Sequence, residues 1–136
     1  MKIVIIDGQG GKIGQMIIER IKKSAPNCEL TAIGTNSIAT SVMLKAGADA
    51  GATGENPVIV AARDADVIIG PVGIISADSL LGEITPAMAS AVGQSKAKKL
   101  LLPVNLCNNI IVGTGSLSLS EIINETVKEF SLFIAD

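Results

Sequence analysis

Lys2-Ile3-Val4-Ile5-Ile6-Asp7 runs directly into Gly8-Gln9-Gly10-Gly11-Lys12-Ile13-Gly14, and the reading of this junction decides the fold class. The apolar run has the length of a buried strand, and the glycines that follow at once are a turn signal. From Lys12 to Lys23, Ile13, Met16, Ile17 and Ile21 share one face while Lys12, Gln15, Glu19, Arg20, Lys22 and Lys23 lie elsewhere. That pattern is an amphipathic helix opening on the last glycines. Pro26-Asn27 stops it, and residues 28–33 offer a second strand. Strand, crossover helix and strand together make a β-α-β unit.

Working outward, Gly34-Thr35-Asn36-Ser37 ends the second strand, and residues 38–46 form a short helix closed by Gly47. Residues 48–54 are ambiguous, a short strand being one reading. Asn56-Pro57 reads as an N-cap followed by proline at the first position of a helix over 57–63. Asp66 to Gly70 has the form of a fully buried strand, expected at the centre of the sheet, that leaves through Gly70-Pro71-Val72-Gly73. Thr85-Pro86 opens a helix over 86–95, and 98–104 is a further strand. Only Asn105 to Asn109 then precedes the apolar run Ile110 to Val112, a link too short for a parallel crossover, so an antiparallel hairpin is expected. Ser118-Leu119-Ser120-Glu121 is a capping box opening a last helix with Ile122, Ile123, Val127 and Phe130 on its apolar face. The expectation is one domain over 1–136, a Rossmann-like, doubly wound α/β fold. Its sheet is mostly parallel with one antiparallel edge hairpin, and helices cover both faces.

Composition narrows the function classes. With Phe130 and Phe133 as the only aromatic residues, the core must be aliphatic, and nothing is available to stack on bases. A formal charge of −2 gives no electrostatic attraction for nucleic acid, so no such partner is expected. The chain has no His, and Cys28 and Cys107 stand far apart, which argues against a metal site. No apolar run approaches the roughly 18 residues of a membrane span, and Met1 to Ile6 is too short for a signal-peptide core, so no membrane partner and a cytoplasmic protein are expected.

The glycine-rich turn carries the functional expectation. Gly8, Gly11 and Gly14 match the G-x-x-G-x-x-G variant of reductase-type Rossmann domains, and the turn stands where a phosphate loop stands. Gly8, Gln9, Gly10, Gly11, Lys12 and Ile13 are therefore the expected binders of a small phosphorylated ligand, through helix-end amides and the Lys12 ammonium. The alternative is that the glycines only let helix and strand pack closely. The acid that would take an NAD ribose about 20 residues further on is missing, and Thr35, Asn36 and Ser37 stand there instead. That leans toward NADP within the NAD(P) class, although no Arg accompanies them, and a mononucleotide stays open. Ligands in such folds lie beyond the carboxyl ends of the strands, which brings Gly70, Pro71, Val72, Gly73 and Asn105 to the same rim. Asn105, Asn108 and Asn109 also suit plain turn chemistry.

Without His or Tyr, serine-histidine triads and a tyrosine general acid are excluded. Glu83, Asp78 and Cys107 are what is left for catalysis, in a small reductase whose site a dimer partner would complete. The stretches GQGGKIG, GTNSIATSVMLKAGAD, GATGEN, IIGPVGI, DSLLGEITPAM and PVNLCNNIIVG resemble a family of small bacterial Rossmann-like proteins described as a domain of unknown function. The resemblance covers nearly the whole chain and implies the fold class, with no activity or site residue to carry over. The apolar end of the last helix, Phe130, Leu132, Phe133 and Ile134, suggests a homodimer, and a ligandless assembly module is the third reading.

Overall fold

Every residue of β1 (Ile3–Asp7) is buried, because this strand is the middle one of a five-stranded sheet. The computed structural model describes residues 1–136. After β1 come α1 (Lys12–Ser24), β2 (Leu30–Gly34), α2 (Ser37–Lys45), β3 (Ala50–Thr53), α3 (Glu55–Asp64) and β4 (Val67–Pro71). A single 3-10 turn (Val72–Ile75), α4 (Pro86–Gln94), β5 (Lys98–Leu102) and α5 (Leu119–Ala135) complete the chain. The strand order is β3-β2-β1-β4-β5, the leading part of the doubly wound order. Every pair is parallel, with Ile5 opposite Ala32 on one side and Ile69 on the other.

Two expectations are corrected. The antiparallel edge hairpin does not form: residues 103–118 contain no strand, and Ile110 and Val112 are almost fully exposed. Pro103 has no N–H to donate to a ladder, β5 stops before it at Leu102, and no strand pairs on the free side of β5. β5 therefore pairs with β4 alone and is one edge of the sheet. The central strand is β1, with β4 beside it. A smaller difference concerns α3, where Gly54 is the N-cap and Pro57 lies in the first turn rather than at its first residue.

The alternation of strand side chains divides the core into two layers. Ile3, Ile5, Leu30, Ala32, Val67 and Ile69 face α1, α2 and α5, whose Ile17, Ile21, Met43, Ile123 and Phe130 are buried against them. Val4, Ile6, Ile33 and Ile68 face α3 and α4 through Val58, Met88 and Val92. Helices thus cover both faces. The apolar end of α5 is mostly consumed here: Phe130 is fully buried, Phe133 and Ile134 pack on the same layer, and of the four only Leu132 is exposed. Ser118 and Glu121 form the anticipated capping box. No helix is long and apolar enough to cross a membrane.

Gly70 shows how tightly the central strands approach one another. A Cβ placed there would lie 2.3 Å from the Ile6 carbonyl oxygen, a backbone atom that cannot swing aside. Gly70→Ala should therefore lower unfolding free energy by about 1–3 kcal/mol in urea titration. Gly93, in α4 with no atom near its missing Cβ, is the comparison. Gly93→Ala should raise stability by about 0.4–1 kcal/mol.

Candidate functional site

Asp7 closes β1 with a side chain only 3% exposed. Its Oδ1 accepts the Gly8 N–H at 2.8 Å, and its Oδ2 accepts the Gly14 N–H at 2.7 Å. Gly11, at the N-cap of α1, has no side chain to cap the helix, so the acceptor comes from the preceding strand. Burial pushes the Asp7 carboxyl above its usual range, more than the amides of Gly14, Gly8 and Ile13 pull it down, and the nearby Glu83 charge pushes the same way.

A second carboxylate reaches the turn from far along the chain. Glu83 belongs to the segment between the 3-10 turn and α4, in which Asp78, Leu80, Leu81 and Gly82 all have positive φ. This winding carries the Glu83 carboxylate to the carboxyl ends of β1 and β2. There it accepts the Thr35 hydroxyl at 2.7 Å, the Asn36 side-chain amide at 2.6 Å and the Gln9 N–H at 3.1 Å. Partial burial raises its pKa, but the hydrogen bonds from Thr35, Asn36 and Gln9 outweigh that and hold it below the usual carboxylate range. Asn36 is also the N-cap of α2, accepting from Ala39 N–H, and its amide donates to the Gln9 carbonyl. The first two strand ends are thereby laced together.

Most donors of the glycine turn are already engaged. Gly8 and Gly14 serve Asp7, Gln9 serves Glu83, and the Gly11 N–H bonds the Gly8 carbonyl. The N–H groups of Gly10 and Lys12 have no acceptor within the chain, and Gly10 has open space around its missing Cβ. Gly11 and Gly14 do pack closely: a Cβ on Gly11 would meet the Ala39 backbone at 2.9 Å, and one on Gly14 would meet Met43. Two of the three motif glycines thus let α2 approach α1.

Gly70, Pro71, Val72 and Gly73 sit at the carboxyl end of β4 as anticipated. Of these, Val72 and Gly73 border a cavity of about 290 Å³ formed with Ile75, Leu106, Ile110 and Ile111, whereas Gly70 and Pro71 do not line it. Cys107 and Asn109 also line it, whereas Asn105 is exposed and does not. Asn109 donates to the Leu106 and Cys107 carbonyls, as a turn residue does. The three residues considered for catalysis occupy different places. Glu83 faces the glycine turn, Cys107 lines the cavity, and Asp78 is exposed. Ser37 and Lys12 are exposed at the first positions of α2 and α1. Sequence reasoning overlooked Asp7 as a ligand of the turn, although an acid closing an apolar strand just before glycines was its visible signal.

A family model described as "Domain of unknown function (DUF3842)" matches residues 2–134. The chain belongs to that family. No curated protein matches it, and no solved structure does. Membership spans both strand ends that hold Glu83 and both walls of the cavity, so these features lie inside the family's unit.

The two carboxylates should give opposite slopes of stability against pH. The folded pKa of Asp7 is raised, so its contribution is full below its ordinary 3.8 and is lost as pH rises through the folded value. Glu83, with a lowered pKa, contributes fully above its ordinary 4.5 and loses that as pH falls through its folded value. Urea midpoints measured across the acid range should show Asp7→Asn removing the first slope and Glu83→Gln removing the second.

Proposed function

We propose that the protein binds a ribonucleotide with a free 2′-hydroxyl, of the NAD or AMP kind, across the carboxyl ends of β1 and β2. The observation that carries this reading is the position of the Glu83 carboxylate. It lies against the Gln9 N–H of the glycine turn and against Thr35 and Asn36 at the end of β2. In doubly wound folds an acid near the end of the second strand takes the ribose hydroxyls. The sequence lacks one there, and Glu83 brings one to that place from 48 residues beyond Thr35. Its ionised form favours hydroxyl donors and repels a 2′-phosphate, which turns the reading from NADP toward NAD.

The chain also offers donors for a ligand phosphate. The Gly10 and Lys12 N–H groups are unengaged at the N-terminal end of α1, whose first turn holds no acidic residue, and the exposed Lys12 ammonium stands beside them. A nucleotide would thus be held by Gly10 and Lys12 at its phosphate and by Glu83 at its ribose. The remaining glycines serve packing, so Gly11→Val would test the α1–α2 contact rather than the ligand.

Calorimetric titration separates this reading from its rivals. AMP should bind more tightly than 2′-deoxy-AMP by about tenfold or more, the worth of a hydrogen bond to a charged acceptor. NADP should bind more weakly than NAD, and Glu83→Ala should remove both differences. Equal affinity for AMP and its 2′-deoxy analogue would sink the assignment of Glu83 to the ribose. No binding of AMP or NAD at all would sink the nucleotide reading itself.

A further inference from the structure

Leu80 packs between the glycine turn that meets Glu83 and the Gly73–Ser79 wall of the cavity beside the 3-10 turn. A Cβ placed on Gly8 would lie 3.0 Å from Leu80 Cδ1, and one placed on Gly73, in the cavity wall, would lie 3.8 Å from Leu80 Cδ2. Leu80 is itself buried, held in a segment anchored by Ser79, whose hydroxyl donates to the Gly73 carbonyl. The Glu83 cluster and the cavity thus lie on opposite sides of the buried Leu80, at the carboxyl ends of neighbouring strands.

At about 290 Å³ the cavity falls at the lower end of the roughly 300–1,000 Å³ of ligand pockets, so it suits one ring and not a whole nucleotide. Its walls are mostly aliphatic, with Ser76 and Asn109 as polar groups able to meet an amide, and no Asp, Glu, Lys or Arg lines it. A cationic ring placed there would give up part of its hydration to a half-open, uncharged lining and find no counter-charge, whereas a neutral ring would lose less. We infer that the cavity receives the uncharged ring of a reduced nicotinamide dinucleotide, so that the protein distinguishes NADH from NAD+. The inference rests on the nucleotide reading above and adds to it the ring, its place and its redox state.

The test is a parallel titration of the full chain with NADH, NAD+ and ADP-ribose, which keeps the adenosine, the diphosphate and both riboses but has no nicotinamide ring. NADH should bind about tenfold or more tighter than either of the others, with a rise in its own fluorescence as the ring leaves water. Ile111→Trp, which fills the cavity from the 106–111 wall, should bring NADH down to the affinity of ADP-ribose while ADP-ribose binding stays unchanged. That unchanged binding also reports that the variant is folded. ADP-ribose or NAD+ binding as tightly as NADH would overturn the inference and leave the nucleotide reading intact, and so would an NADH preference that survives Ile111→Trp. If none of the three binds, both readings fall together.

Discussion

The Asp7 carboxylate, held between the Gly8 and Gly14 N–H groups, is the tie on which the local architecture depends. It joins the end of the central strand to the first turn of α1 across a loop that has no capping side chain of its own. Burying an acid there is costly, and the raised pKa records that cost. Two amide donors offset it, and they fix how the glycine turn must run. With the turn so held, Gly11 can occupy the left-handed region and Gly14 can lie against Met43, which sets the separation of α1 from α2.

Because Asp7 takes the inner amides, the turn differs in electrostatics from a bare anion cradle. Its inward donors neutralise an acid of the protein, and the Gln9 donor on the outer side meets a second acid, Glu83. What faces solvent is a carboxylate oriented by three donors beside the few unengaged N–H groups of the helix end. A ligand with both hydroxyl donors and an anionic group suits that mixture better than an anion alone. The segment that delivers Glu83 is correspondingly irregular, with three non-glycine residues in the left-handed region, each of which costs backbone energy. Leu80 and Ser79 hold it by burial and by the bond to Gly73, and Leu81 at its bend is left in solvent.

Local signals were legible where one short stretch contains its own physics. The periodicity of Ile13, Ile17 and Ile21 marked α1, the Ser118 and Glu121 pair marked the start of α5, and the apolar run before Gly8 marked β1. The same reasoning failed at Ile110 to Val112, where apolar residues suggested a strand, but Ile110 and Val112 stand in solvent and the run pairs with no strand. Nor could it see that Phe130, Phe133 and Ile134 pack on their own sheet, because an apolar helix end looks alike whether it covers its own core or a partner.

By itself the sequence determined the fold class, the place of the glycine turn and the strand ends around which a site can form, since strand and helix periodicities and turn residues act over a few positions. The tertiary structure decided what occupies that turn. Glu83 lies 48 residues from Thr35 and 74 from Gln9, and only the order of strands in the sheet, with the left-handed winding between the 3-10 turn and α4, brings the three together. The same holds for the cavity, whose walls at Val72 and Ile111 become neighbours because β4 and β5 end side by side at one edge of a parallel sheet.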